Sequence, residues 1–164
     1  MSIWIRELGP GELDVLDAVF AGLSPASRYH RFHGANPHML PAVRDVPAAV
    51  GGCRHHIDIA AYADDEPVGI ARLIATRDHP CDIAVEVIDR WQGRGIGTHL
   101  VLAVVERART LGHTVVEADI LAENRAVRQL IDHVFPATTS TMDRAEITYR
   151  GDFYSWRRDQ SDAA

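Results

Sequence analysis

Residues 81–98 read CDIAVEVIDRWQGRGIGT, and this stretch decides the fold. Its first eight residues alternate as in a strand, with Ile83, Val85 and Val87 on one face and Asp82, Ala84, Glu86 and Ile88 on the other. Three glycines then fall between residues 93 and 97, and a helix is predicted from Thr98 to about Leu111. A strand, a glycine-rich turn and a helix in this order indicate an anion site, because the first N–H groups of the helix can point at a phosphate.

The spacing of these glycines disfavours a dinucleotide site of the Rossmann type. That fingerprint needs a third glycine three positions after the second, where this chain has Thr98. The stretch from Gln92 to Gly97 has instead the form Q-x-x-G-x-G, and it follows a run of strands that looks antiparallel.

The rest of the chain predicts a mixture of helices and strands. Before the turn we expect a strand near Ile3–Ile5, a helix from Leu13 to Leu23, a second helix over 24–34 capped by Ser24, a short helix around Val43–Val50, and strands over 55–63 and 68–76 joined by a four-residue connection. After it we expect a strand over Thr114–Leu121, a helix over Glu123–Val134 and a hairpin from Ser140–Met142 and Glu146–Tyr149. These elements fit one domain over residues 1–164, with a polar tail from about residue 157.

Composition excludes several classes of function. The net charge of −6 argues against a protein that binds nucleic acid regardless of sequence, and it favours a cationic partner. All 17 basic residues are arginine, so a Walker A loop, a kinase lysine and a Schiff-base lysine are ruled out. With two cysteines, no leader and no apolar run of membrane-spanning length, we expect a cytoplasmic protein.

Three segments together resemble a known family: Asp89–Thr98, Leu121–Arg125 and Leu23–Phe32. The first is similar to the acetyl-CoA pyrophosphate loop of the GNAT (Gcn5-related) N-acetyltransferase superfamily. All three are similar to the acetyltransferase domain of bacterial Pat-type protein lysine acetyltransferases. The resemblance implies an α/β fold with a central, mostly antiparallel mixed sheet, helices on both faces and a splay at the acetyl-CoA site.

The resemblance also implies which residues bind acetyl-CoA. Backbone N–H groups of the turn would hold the pyrophosphate, with the Arg94 side chain as a charged partner, and the backbone of Val87 and Ile88 would pair with the pantetheine arm. Asn124 would contact the cofactor at the start of the next helix. The implied cofactor residues are therefore Val87, Ile88, Gln92, Gly93, Arg94, Gly95, Ile96, Gly97, Thr98 and Asn124.

Transfer to an amine needs a base, since an amine with a pKa near 10.4 is mostly protonated at neutral pH. Asp82 matches the position of a Pat-type glutamate ten residues before the loop glutamine, and Glu86 is the alternative on the same face. Four residues of strand separate them by roughly 13 Å, so only one can lie next to the thioester. The tyrosine that protonates the leaving thiolate in many members is replaced by Ile131, so no acid is evident.

On the acceptor side the resemblance implies Arg28, Tyr29 and Phe32 as substrate-binding residues. The expected acceptor is a protein lysine, and the alternative acceptor is a small-molecule amine. The alternative to an enzyme is a non-catalytic module that binds acyl-CoA. No nucleic acid or membrane is expected as a partner, and the oligomeric state stays open. The nine histidines and two cysteines, including Cys53, His55 and His56, close no ligand set at a familiar spacing, so no metal is expected.

Overall fold

Seven strands form one mixed sheet in a computed structural model of the chain, which describes residues 2–34, 37–44, 53–76, 79–135 and 138–152. The strands are β1 (Ile3–Glu7), β2 (Cys53–Ala63), β3 (Glu66–Thr76), β4 (Cys81–Val87), β5 (Val115–Leu121), β6 (Thr139–Asp143) and β7 (Glu146–Asp152). Their order across the sheet is β1-β2-β3-β4-β5-β7-β6. Every neighbouring pair is antiparallel except β4 and β5, which are parallel, so the expected fold is confirmed.

The helices lie on both faces of this sheet. They are α1 (Leu13–Gly22), α2 (Pro25–Phe32), α3 (Pro41–Arg44), α4 (Ile96–Thr110) and α5 (Arg125–Val134), and a 3-10 turn covers Asp89–Trp91. One core lies between the sheet and helices α4 and α5, and it contains Leu100, Val104 and Ile131. A second core lies between α1 and the opposite face, with Leu16, Val19 and Ile88 among its members.

Several element boundaries differ from the sequence expectation. Helix α4 begins at Ile96 rather than Thr98, because Gly95 has a φ of +79° and turns the chain directly into the helix. Helix α5 begins at Arg125 rather than Glu123, since the Asn124 side chain accepts a hydrogen bond from the Val127 N–H at 3.3 Å and so caps it.

The hairpins are tighter than the sequence suggests. The β2–β3 connection is a two-residue turn at Asp64 and Asp65 rather than a four-residue one, and Asp64 has a φ of +52°. β7 continues to Asp152, three residues beyond the predicted end at Tyr149. Of the helix expected near 43–50, α3 ends at Arg44, and residues 45–50 lie outside the described residues, as does the expected tail from 157.

Candidate active site

A gap opens in the sheet between β4 and β5. Only two pairs of residues join these strands, Cys81 with Val116 and Asp82 with Glu117, and the strands then diverge. A cavity of about 1000 Å³ lies along this gap, bounded by β4, β5, α2, the first turns of α4 and the length of α5. This size is at the upper end of the range for small-molecule sites.

The backbone of β4 turns its free edge toward this gap. The Ile88 N–H donates to the Val68 carbonyl at 2.9 Å, so the alternation of an antiparallel ladder directs the even-numbered residues of β4 toward β3. The N–H and carbonyl groups of Val85 and Val87 consequently face the gap. The Val87 carbonyl accepts a hydrogen bond from the Gln92 side-chain amide at 2.8 Å, and its N–H remains directed at the cavity.

This geometry corrects the expectation for Ile88. Its N–H is bonded to Val68, its carbonyl accepts from the Trp91 N–H at 2.8 Å, and its side chain is 3% exposed. A built Cβ on Gly22 would lie 2.5 Å from the Ile88 side chain, which shows how closely α1 packs there. Ile88 is therefore a packing residue, and Val85 has the free backbone edge expected of it.

The glycine-rich turn leaves the start of α4 open. Gly93 and Gly95 have φ values of +71° and +79°, a region that side chains disfavour. Gly95 caps α4 without any side-chain hydrogen bond, and the first helical bond runs from the His99 N–H to the Gly95 carbonyl. The N–H groups of Ile96, Gly97 and Thr98 thus lack partners within the helix and favour an anion there.

Most of the expected cofactor residues line the cavity, but Arg94 does not. Val87, Gln92, Gly93, Gly95, Ile96, Gly97, Thr98 and Asn124 are all at its wall. The Arg94 guanidinium instead stacks over the Trp91 ring at 4.8 Å, outside the wall. Asn124 has a structural task as well, because its side-chain oxygen caps α5.

Asp82 lines the cavity and is exposed to solvent. The pKa of Asp82 is raised, chiefly because burial disfavours the charged form; Arg31 lowers it, and the carboxylates of Asp119 and Glu117 raise it again. A raised pKa brings an aspartate closer to the range in which it acts as a base near neutral pH.

Glu86 is held in a different way. Its side chain is only 4% exposed and accepts a hydrogen bond from the Arg31 Nε at 2.6 Å. This bond satisfies a buried charge, which would otherwise be costly. Glu86 is therefore committed to an ion pair with Arg31, and Asp82 is the carboxylate that faces the cavity without such a pair.

Helix α2 presents residues to the cavity other than those expected. Arg28 donates to the carbonyls of Pro37 and Ala21, at 3.2 and 3.3 Å, and the exposed Tyr29 is absent from the cavity wall. Phe32 does reach it. Further polar wall residues on this side were not predicted: His30 and Arg31 on α2, His33 just after it, Asp119 on β5 and Glu123 just after that strand. The helical spacing of residues 26, 27, 30 and 31 is the signal that would have found the α2 members.

The position of the expected thiolate acid is apolar. Ile131 is 5% exposed and lies in the cavity wall, and Val134 and Phe135 are buried beside it. The free thiol of Cys81 is buried, and burial, together with Asp82, raises its pKa to about 11, so it is a poor nucleophile.

Among the described residues no group of three or more His, Cys, Asp or Glu side chains could hold a metal ion. His55 bonds to His113 at 2.8 Å, and His33 lies 2.7 Å from Glu146. In the same ranges, no helix is long and apolar enough to cross a membrane.

Known proteins share sequence and fold with this chain. The model of the Acetyltransferase (GNAT) family matches residues 23–134. Acetyltransferase PA5475 of Pseudomonas aeruginosa is 31% identical over 112 residues, which make up 66% of this chain and 60% of that protein. The match therefore spans less than two thirds of that relative.

Solved structures show the same fold. The GNAT domain of S. lividans PAT has a TM-score of 0.74 at 20% identity, and the match covers 90% of this chain and 89% of that one. Salmonella typhimurium yncA, solved with its cofactor acetyl-CoA, has a TM-score of 0.68 at 16% identity over 93% and 95% of the two chains.

Proposed function

The chain belongs to the acetyltransferase (GNAT) family, and we propose that it transfers the acetyl group of acetyl-CoA to a primary amine, in the first place the side chain of a lysine on another protein. One observation carries this proposal. The free backbone edge of β4, the open start of α4 and the Asp82 carboxyl all meet in one cavity.

The residues of this cavity fit acetyl-CoA. The N–H groups at the start of α4 suit the pyrophosphate, because a helix N-terminus favours negative charge. The backbone groups of Val85 and Val87 suit the amide-bearing pantetheine arm, which can bond to a strand edge as an extended peptide does. Gln92 supports this arrangement, since its side chain ties the turn to the end of β4.

Asp82 is proposed as the general base. The ammonium form of the amine gives one proton to the Asp82 carboxylate, directly or through a water, and the neutral nitrogen then attacks the thioester carbonyl. The N–C bond forms as the C–S bond breaks, the sulfur leaves with the electron pair, and the second proton of the acylated nitrogen passes to the departing thiolate or to solvent. The Val87 N–H would stabilise the charge on the carbonyl oxygen. A thiol pKa near 8.5 lets the sulfur leave without an acid at Ile131.

A lysine acceptor is supported by the charge of the cavity and by resemblance. Asp82, Glu86, Asp119 and Glu123 line the wall together with two arginines, Arg31 and Arg125, so carboxylates outnumber arginines among the described lining residues. Such a wall suits an ammonium group. The resemblance to Pat-type enzymes favours a protein lysine in the cytoplasm over a small amine. A module that binds acyl-CoA without catalysing transfer is the third possibility.

The absence of lysine from this chain makes the test clean, because acetyl-lysine formed in a mixture must lie on a substrate. We would incubate the protein and acetyl-CoA with a deacetylated lysate of the source cell and count acetyl-lysine sites by mass spectrometry. Asp82→Asn is the test variant and Asp143→Asn, at the exposed end of β6, the matched control.

Each result has a distinct meaning. New sites that form with the wild type and the Asp143 variant, but not with the Asp82 variant, support a protein lysine acetyltransferase. Transfer only to small amines in a parallel panel moves the acceptor to that class. Binding of acetyl-CoA without transfer to either would contradict the proposed activity and leave an acyl-CoA-binding module.

A further inference from the structure

Two carboxylates of β5 lie on the same sheet face as Asp82, and their partners differ. Glu117 accepts from the Arg150 guanidinium at 2.6 Å, so its charge is compensated by a cation. Asp119 accepts a hydrogen bond from the Thr148 hydroxyl at 2.6 Å, which orients the carboxylate without neutralising it. Only Asp119 therefore keeps an uncompensated negative charge.

The register of the sheet brings Asp119 to the cavity. Asp82 pairs with Glu117 where β4 and β5 still touch, and Asp119 lies two residues further along the same face, where the strands have parted. Asp119 lines the cavity, whereas Glu117 does not. The two carboxylates sense each other, since Asp119 contributes to the raised pKa of Asp82.

The arginines of the cavity wall, Arg31 and Arg125, are not ion-paired with these two carboxylates. Arg31 of α2 gives its Nε to the buried Glu86 at 2.6 Å. Among the described residues, neither Asp82 nor Asp119 has a cationic partner within ion-pair distance. Two carboxylates that converge on one cavity without a cation of their own are suited to a positively charged ligand.

We propose that Asp119 is an acceptor-binding residue, which holds the ammonium form of the substrate amine beside Asp82 through a charge-assisted hydrogen bond. This inference rests on the proposed function. The ammonium gives one proton to Asp82 and remains hydrogen-bonded to Asp119 while its nitrogen attacks the acetyl carbon. Asp119 exchanges no proton in this step, so it determines affinity and selection for cationic acceptors rather than the rate of transfer.

Steady-state kinetics at saturating acetyl-CoA test this role. The probe acceptors are n-butylamine and a lysine-containing peptide, and the variants are Asp119→Asn, Asp119→Glu, Thr148→Val and the surface control Asp143→Asn. We expect Asp119→Asn to raise the KM for both amines roughly tenfold, since a hydrogen bond to a charged group is worth about 1.5–3 kcal/mol. The kcat should change far less. Asp119→Glu should retain most of the affinity, and Thr148→Val should show a smaller loss in the same direction.

The pH profile separates binding from a structural effect. Arg31 from α2 and the carboxylates of Asp119 and Glu117 from β5 act on Asp82. Removal of the Asp119 charge lowers the pKa of Asp82, so the acid limb of kcat/KM should move to lower pH in Asp119→Asn and stay in place in Asp143→Asn. A fall in kcat alone, with unchanged KM and pH profile, would overturn the proposal.

A binding measurement keeps the test valid if no amine is acetylated. Calorimetry of n-butylamine against the complex of the protein with CoA needs no turnover, and n-butanol is the uncharged comparison. If the wild type binds n-butylamine and Asp119→Asn binds it more weakly, the inference stands even where the proposed activity fails. If both proteins bind the amine equally, or if neither prefers it to n-butanol, the inference is wrong.

Discussion

Asp89 binds both the backbone N–H and the hydroxyl of Ser24, at 2.8 and 2.7 Å, across 65 residues of sequence. The Ser27 hydroxyl donates a third hydrogen bond to Asp89 at 2.9 Å. The Gln92 side-chain amide donates both to the Ser27 hydroxyl and to the Val87 carbonyl at the end of β4. Asp89 lies in the 3-10 turn that leads to the glycine-rich turn, whereas Ser24 caps helix α2. The segment proposed to bind pyrophosphate is therefore joined to the helix that forms the acceptor wall.

We expect Asp89→Asn to weaken both halves of the site at once. Burial alone would raise the pKa of Asp89, but the hydrogen bonds from Ser24 and Ser27 outweigh it and hold the pKa below its usual range, so the charged form is the bonded one. The variant should lose about 1 kcal/mol of stability and raise the KM for acetyl-CoA and for the amine together. Thermal unfolding and bisubstrate kinetics measure these effects, and a change in only one KM would contradict the coupling.

Replacement of Asp82 by Asn should stabilise the protein at neutral pH while it abolishes transfer. The pKa of Asp82 is raised in the folded state. The free energy of folding is therefore unaffected by Asp82 ionisation below the unfolded pKa near 3.9, and the folded state loses stability as the pH rises toward and through the folded pKa. An asparagine stays neutral at every pH. The variant should melt above the wild type at pH 7, with a gap that closes toward pH 3.5, and a gap independent of pH would speak against this origin.

The Arg31–Glu86 pair should behave as a unit. Glu86→Gln leaves Arg31 without its charged partner in a half-buried position, and a loss of about 3 kcal/mol is expected. The double variant Arg31→Met with Glu86→Leu should recover most of that loss, because no charge remains to be desolvated. Denaturant unfolding of Arg31→Met, Glu86→Leu and the double variant gives the coupling energy.

The same double variant has a kinetic signature. Arg31 lowers the pKa of Asp82, so its removal should move the acid limb of kcat/KM to higher pH. Retained activity in this variant would show that Glu86 is not the base, whereas complete loss of activity in a folded variant would reopen that assignment.

Ile88→Ala should damage packing and spare the cofactor site. The side chain is buried between α1 and β4, and loss of a core isoleucine typically costs about 2–5 kcal/mol. The KM for acetyl-CoA should stay within about twofold of the wild type, as measured below the melting temperature of the variant. A large rise in KM with unchanged stability would restore the original expectation that Ile88 binds the cofactor.

Gly97→Ala should separate stability from cofactor affinity. A built Cβ lies 3.6 Å from Leu130 and 3.8 Å from Val87, which is ordinary contact, and alanine is the better helix former by up to about 1 kcal/mol. The apoprotein should melt higher, yet the KM for acetyl-CoA should rise severalfold because the methyl group crowds the N–H groups of the turn. Gly112→Ala is the control, since its φ of +83° predicts lower stability with unchanged KM.

Much of the fold was predictable because one stretch carries three local signals. The alternation over 81–88, the glycines from 93 to 97 and the Ser24-Pro25 cap each report local conformation, and each element is present. The error at Ile88 has a different cause. Sequence alternation shows which way a side chain points, but it does not show which backbone groups a neighbouring strand has already bonded.

The acceptor wall was harder to predict, because it depends on contacts between distant segments. Arg28 and Tyr29 were chosen by resemblance, although the next two residues, His30 and Arg31, line the cavity instead. Asp119 was not predicted, since its proposed role depends on Thr148 of the neighbouring strand β7 and on the divergence of β4 from β5. The alternation of Glu117 and Asp119 with the apolar Val116, Ala118 and Ile120 was the available signal for an acidic sheet face.

The two-pair contact between β4 and β5 also has a mechanical consequence. Beyond Asp82 and Glu117 no ladder bond sets the distance between the strands, so that distance depends on side-chain packing by α4 and α5. Packed helices slide and tilt by small steps without rupture of hydrogen bonds, whereas a continuous sheet resists any change of strand spacing. Strands β1 to β4 form one continuous hydrogen-bonded part of the sheet and β5 to β7 form another, and the chemistry we propose lies along the junction that two residue pairs bridge.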